Sequence, residues 1–199
     1  MKNHSLPEKP SGFIGIAAGL IMLLRHRRSY RLAWKTLNLN EKDRFLEIGF
    51  GVGRFLKKAS NVVSFTAGID HSEEFVKYVR LINKIKTRSK KMDVRLEEAS
   101  NLSWEDECFT CVAAIEAFYY FQKPKKSLLE MYRVLRKSGR VVITMIWYKC
   151  ETKNYKKIKE KYNAEIYSVN SLRVLLDDVG FKKIRVQIID NVLLASAIK

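Results

Sequence analysis

The sequence predicts an α/β domain built on a parallel sheet, and three observations carry that expectation. Residues 44–59 read as a short apolar strand, a glycine-rich turn and a helix. Residues 109–115 are apolar throughout, as a parallel strand buried on both faces must be. Residues 62–69 and 93–97 are two more strand-length runs, and the stretch between them has apolar residues at helical spacing. Strands alternating with helices imply crossover connections and a parallel sheet.

The chain of 199 residues suits one domain with a sizeable core, and 47% apolar with 30% charged residues excludes a disordered chain. Three cysteines are too few for a disulfide scaffold, so a reducing cytoplasm is expected. The net charge of +17 permits RNA, an anionic membrane or an acidic substrate as partner. The excess is spread over lysine-rich stretches at 84–91, 123–126 and 149–161, which also suits a plain solvated surface.

Residues 13–24 form an unbroken apolar run containing Gly15 and Gly19. It falls short of the roughly 20 residues a spanning helix needs. Arg25-His26-Arg27-Arg28 follows the run, whereas a cleaved signal carries its charge before it. Neither a span nor cleavage is expected. Two readings remain: a lid helix over the active site, or an interfacial anchor with the arginines among lipid headgroups. A second helix is expected from Ser29 as N-cap, burying Tyr30, Ala33, Trp34 and Leu37.

Phe45-Leu46-Glu47-Ile48 is the first strand, and Gly49-Phe50-Gly51-Val52-Gly53 the turn after it. Glycine permits positive φ and a close approach to bare backbone. The helix that opens at Arg54 aims unpaired N–H groups at whatever lies on the turn. The dinucleotide fingerprint requires a further glycine where Leu56 stands, and a P-loop requires Gly-Lys-Ser/Thr; both are absent. The second strand ends in Asp70, an acceptor-only side chain about 20 residues past the glycines that can take both ribose hydroxyls of a nucleoside. Ser72 is expected to cap the next helix, with Phe75, Val79 and Ile82 inward. His71 stands beside the expected nucleoside.

After the third strand come Ser100 and Asn101, and the fourth strand runs into Glu116, Phe118, Tyr119, Tyr120 and Phe121. That tip lies at the carboxyl end of the sheet, where open α/β folds bind ligands. Glu116, Tyr119 and Tyr120 are the candidate catalytic residues, though no catalytic residue is fixed by sequence. Cys108-x-x-Cys111 lacks a second ligand pair, so no metal site is expected. Ser127 with Glu130 reads as a capping box opening a helix that buries Leu128, Met131, Tyr132 and Leu135. Trp147 and Tyr148 leave the fifth strand and head the lysine-rich stretch. Ser168 caps a last helix with Leu172, Leu175, Leu176 and Val179 inward and Gly180 after its end. Residues 184–189 and 191–198 make a closing hairpin.

The pattern acidic-x-Gly-x-Gly-x-Gly at Glu47, Gly49, Gly51 and Gly53, then Asp70, the fourth-strand tip, Ser138-Gly139 and the hairpin resembles the class I S-adenosylmethionine-dependent methyltransferases. Residues 42–199 are covered, and the small type-11 branch with its ubiquinone and menaquinone methyltransferases is most similar. The resemblance implies a Rossmann-like, seven-stranded, mostly parallel sheet of order 3-2-1-4-5-7-6 with helices on both faces, preceded by an N-terminal helical cap over residues 1–41. It implies S-adenosylmethionine held by Glu47, Gly49, Gly51, Gly53, Asp70, His71, Ser100, Asn101, Ala114 and Glu116. Ser100 stands where the family often has an acid, a departure. Phe13, Tyr119, Tyr120, Trp147 and Tyr148 would border the acceptor. Prolines occur only at 7, 10 and 124, so the Asn/Asp-Pro-Pro-aromatic signature of amino-group methylation on bases is absent. The implied activity is methyl transfer to a small-molecule acceptor, with RNA methylation or RNA binding, or a lipid or quinone methyltransferase at a membrane surface, as alternatives.

Overall fold

The structure, a computed structural model, describes residues 26–150 and 155–199. Within them the chain runs α1 (Arg27–Leu37), β1 (Arg44–Ile48), α2 (Arg54–Ala59), β2 (Phe65–Asp70), α3 (Glu73–Ile82), α4 (Lys84–Arg88), β3 (Met92–Leu96) and β4 (Phe109–Ile115). A 3-10 turn (Phe118–Tyr120), α5 (Pro124–Val134), β5 (Leu135–Met145), α6 (Lys156–Tyr162), α7 (Val169–Val179), β6 (Lys182–Ile189) and β7 (Val192–Ile198) complete it. The seven strands form one sheet of order β3-β2-β1-β4-β5-β7-β6, as expected. The first five strands pair in parallel and β7 runs antiparallel to both neighbours. Phe13, the rest of the 13–24 run and the upstream part of the expected cap lie outside the described residues. Among the described residues no helix is long and apolar enough to cross a membrane.

The sheet separates two cores. On one face Leu128 and Met131 of α5 pack with Leu172, Leu176 and Val179 of α7. On the other, Ala33 and Leu37 of α1 pack with Phe55 and Leu56 of α2 and Val76 and Val79 of α3. The second helix of the sequence therefore belongs to the core layer of the sheet.

Local expectations fail where a competing partner wins. Ser29 does not cap α1, which begins earlier at Arg27; its hydroxyl turns instead to Glu116. Ser127 does not open α5, because Pro124 starts the helix three residues sooner. The Ser127 hydroxyl donates to the Lys123 carbonyl, and Glu130 takes the Leu102 amide and Arg133. On α3 the buried face is Val76 and Val79, with Ile82 exposed. The second strand starts at Phe65 rather than Val62, since the amides of Val62 and Val63 close back on the Ala59 carbonyl. Ser72 and Ser168 do cap their helices, and Gly180 ends α7 with φ 105°.

At the far end of the sheet from the site, Asp43 staples the layers. Arg140 Nη2 donates to it at 2.6 Å and Thr110 Oγ1 at 2.7 Å, while Arg140 Nε holds the Leu37 carbonyl at the end of α1. Burial alone would raise the Asp43 pKa, but hydrogen bonds from Arg140, Thr110, the Asn40 amide and Cys111 outweigh it and hold the pKa at about 2. Asp43→Ala would leave the guanidinium half-buried without its counter-charge and is expected to cost about 3–5 kcal/mol, read from urea denaturation. Because the folded pKa lies below the ordinary 3.8, the stabilisation is full above that value and is lost as pH falls toward about 2.

Candidate active site

The glycine turn is held by the second strand. The Gly49 amide donates to the Ile69 carbonyl at 2.8 Å and the Gly51 amide to Asp70 Oδ2 at 2.8 Å. Gly49, Gly51 and Gly53 all have positive φ, at 76°, 54° and 71°. Their reasons differ. A Cβ on Gly49 would stand 2.6 Å from that of Ala117, and one on Gly53 would stand 2.6 Å from Val79 Cγ2. A Cβ on Gly51 meets nothing within 4 Å among the described residues. Two glycines therefore permit close packing, while the middle one opens onto free space.

Carboxylates surround that space. Asp70 accepts from the Gly51 amide on one oxygen and the Ser72 amide on the other, 2.9 Å away, and each oxygen keeps a lone pair. Burial pushes its pKa up, against the pull of those amides. Glu47 is buried within β1, and its Oε2 has no hydrogen-bond partner among the described residues. Burial, and after it the negative charge of Asp70, pushes the Glu47 pKa well above the ordinary range. A buried carboxylate with an orphaned oxygen suits a cationic or donor-bearing ligand.

Glu116 sits one residue past β4, with its amide on the Thr144 carbonyl and φ at 56°. That left-handed turn aims the side chain back over the sheet edge, where three donors grip it. Ser29 Oγ donates to Oε1 at 2.5 Å; Tyr119 Oη and the Ile146 amide donate to Oε2, each at 3.1 Å. Burial raises its pKa to about 7, with the three hydrogen bonds pulling down. Ala117, the next residue, is the one that touches the glycine turn. Tyr30 on α1 stacks on Phe55 at 5.9 Å, and burial together with the nearby Glu47 and Glu116 charges pushes its pKa up.

A family model described as a methyltransferase domain, of type 11, matches residues 46–143, the span from within β1 into β5. The chain belongs to the class I methyltransferases. An uncharacterised protein of Methanocaldococcus jannaschii is 28% identical over 149 residues, covering 72% of this chain and 67% of that protein. A phosphatidylethanolamine N-methyltransferase of Cereibacter sphaeroides is 35% identical over 100 residues, and the chain spans 49% of its length and matches it over 50% of its own. In three dimensions the fold matches a chain from the complex between the Haloferax volcanii Trm112 methyltransferase activator and a methyltransferase. The TM-score is 0.83 at 18% identity, covering 98% of this chain and 97% of that one. At that identity the likeness is one of fold.

S-adenosylmethionine is the cofactor of this class I methyltransferase, and the residues present fit it. The free space over Gly51, the spare lone pairs of Asp70 and the orphaned Glu47 oxygen match a nucleoside with two ribose hydroxyls and a cationic tail. His71 is exposed, its Nδ1 3.7 Å from Asp70. Ser100, half-buried, and Asn101, exposed, lie on the loop after β3, whose Glu97 amide bonds the Asp70 carbonyl. Ala114 is fully buried inside β4, in the core of the sheet.

Around Glu116 the methyltransferase places aromatic rings. Tyr119 is buried, 4.5 Å from Tyr120 and 5.0 Å from Trp147 between ring centroids. Burial pushes the Tyr120 pKa to about 12, so both phenols stay protonated at neutral pH. Tyr148 is buried in the core behind Trp147. Among the described residues no three His, Cys, Asp or Glu side chains gather as metal ligands. Sequence reasoning missed Ser29, Tyr30 and the Ile146 amide. Ser29 resembled a helix cap, and an amide carries no side-chain signal at all.

Proposed function

We propose that this methyltransferase acts on a small-molecule acceptor whose attacking atom sheds a proton, and that Glu116 receives it. The observation that carries this reading is the grip of Ser29, Tyr119 and the Ile146 amide on a buried carboxylate with a pKa of about 7. A base tuned near the working pH transfers protons most effectively. When bound, S-adenosylmethionine supplies an electrophilic methyl group on a sulfonium. The protein's part is placement: the glycine turn and Asp70 fix the donor, and Tyr119, Tyr120 and Trp147 wall the acceptor from water. As the acceptor atom gains the methyl group, its proton passes to a Glu116 carboxylate oxygen.

The phosphatidylethanolamine N-methyltransferase relative is consistent with an amine acceptor. Incubating the protein with methyl-labelled cofactor and fractionated cell extract tests the reading. Label in the small-molecule pool is the expected result; label in RNA or in the lipid pool alone would replace it with one of the alternatives. Liposome sedimentation of the full chain and a chain lacking residues 1–25 checks the membrane alternative.

A further inference from the structure

Residues 75–92 carry seven lysines and arginines and no aspartate or glutamate. Three of the seven are engaged locally. Lys77 pairs with Glu73 at 2.7 Å, and Arg80 Nε donates to the Val94 carbonyl at 3.0 Å. Lys86 donates to the carbonyl and hydroxyl of Ser60 and to the Asn61 side chain. The other four, Lys84, Arg88, Lys90 and Lys91, are exposed and have no acidic partner among the described residues. Burial, and after it the charges of Lys57 and Lys91, lowers the Lys86 pKa, as a corner crowded with like charge should.

Bare aliphatic side chains stand among those cations. Ile85 is 84% exposed and Leu81 71%, with Ile82 at 38%. Asn83 is buried between α3 and α4 and donates to the Val79 carbonyl at 2.9 Å, and the residues on either side of it face out. Lys84 and Arg88 lie one turn apart and flank Ile85 on α4. An apolar patch rimmed by charge marks an interaction surface.

The patch lies away from the reaction. α3 starts at Glu73, just past the Asp70 tip of β2, and runs back for 10 residues, about 15 Å. With α4 it reaches the amino end of the sheet, where Met92 opens β3. The glycine turn and Asp70 lie at the carboxyl end.

We propose that this corner docks the protein on an anionic phospholipid surface, with Leu81 and Ile85 at the acyl boundary and Lys84, Arg88, Lys90 and Lys91 among the headgroups. Cations with aliphatic side chains between them match a negatively charged bilayer, toward which each Lys or Arg contributes about fivefold in affinity. Two other occupants fit less well. The aromatic residues of the stretch, Phe75 and Tyr78, pack against the core and leave no ring on which a nucleotide base could stack. Arg80 holds the Val94 carbonyl in the middle of the edge strand β3, which obstructs a protein that would add a strand. Docked by this corner, the protein keeps its active site turned from the bilayer, so the acceptor need not be a lipid.

The full chain is sedimented with phosphatidylcholine vesicles, with and without phosphatidylglycerol, beside the double variants Lys84→Gln/Arg88→Gln and Leu81→Ser/Ile85→Ser. The wild type is expected to pellet only with the phosphatidylglycerol vesicles and to be released by salt. The glutamine variant should bind about 25-fold more weakly, from two cations at about fivefold each, and the serine variant about tenfold more weakly. S-adenosylmethionine affinity unchanged in both is the check on folding. No binding to phosphatidylglycerol vesicles, or equal binding by both variants, overturns the proposal. So does binding that survives in the variants but is lost when residues 1–25 are removed, which would give the membrane contact to that stretch. Binding of a single-stranded RNA that weakens in the glutamine variant alone, without vesicle binding, would assign the corner to nucleic acid instead. Vesicle binding needs no methyl transfer, so its loss leaves the donor-site reading standing.

Discussion

Glu116→Gln is expected to slow methyl transfer by roughly 10²–10⁴-fold, the range a positioned proton acceptor contributes. The amide is isosteric and can be housed. Its oxygen takes the Tyr119 hydroxyl and the Ile146 amide, and its nitrogen faces Ser29, whose hydroxyl can accept as well as donate. The loss is therefore chemical rather than structural. In the wild type, kcat/KM should climb through an inflection near pH 7 to a plateau, because only the ionised carboxylate accepts a proton. The variant should lack that inflection. A cationic donor bound nearby lowers the carboxyl pKa, so the inflection in kcat should fall below that in kcat/KM. The linkage to folding has the opposite sense from Asp43. The folded pKa lies above the ordinary 4.5, so the buried charge weakens the fold above about pH 7 and that cost fades as pH drops toward 4.5. The glutamine variant should accordingly melt higher than the wild type at pH 8. A variant with full activity and an unaltered pH profile would remove Glu116 from the reaction.

Gly51→Arg is expected to abolish S-adenosylmethionine binding, a loss of about 100-fold or more, equivalent to about 3 kcal/mol. The folded chain should persist. Among the described residues the Cβ meets no atom within 4 Å, so only the left-handed backbone is strained, at about 1–2 kcal/mol. The new side chain would fill the space over the turn. Asp70→Ala should weaken binding less, since the Gly51 and Ser72 amides remain to donate to the ligand or to water. Gly49→Ala makes the contrast, because its Cβ would collide with Ala117 at 2.6 Å and upset folding first. Calorimetry with the cofactor, alongside thermal melting, separates the cases; unchanged affinity in Gly51→Arg and Asp70→Ala would move the cofactor elsewhere.

What could be read from the sequence was what local chemistry dictates. The glycines, the acid in β1 and the apolar run of β4 announce themselves within a few residues, and so do the caps at Ser72 and Ser168. The order of the sheet followed from the resemblance these motifs carry. What stayed hidden was set by distant partners. Ser29 and Glu116 are 87 residues apart, and nothing beside either names the other. Ser127 and Glu130 had the right spacing for a box, but Pro124 and Arg133 decided otherwise. Ile82 is exposed because the buried face of α3 runs through Val76, Val79 and Asn83, one step round from the face expected.

The hydroxyl of Ser29 ties the ionisation of an acid at the sheet edge to the seating of a helix at the start of the described chain. That hydrogen bond opposes the upward pull of burial, so loss of the Ser29 hydroxyl alone would leave a weaker acid behind it. Ser29→Ala should thus move the inflection in kcat/KM to higher pH than in the wild type.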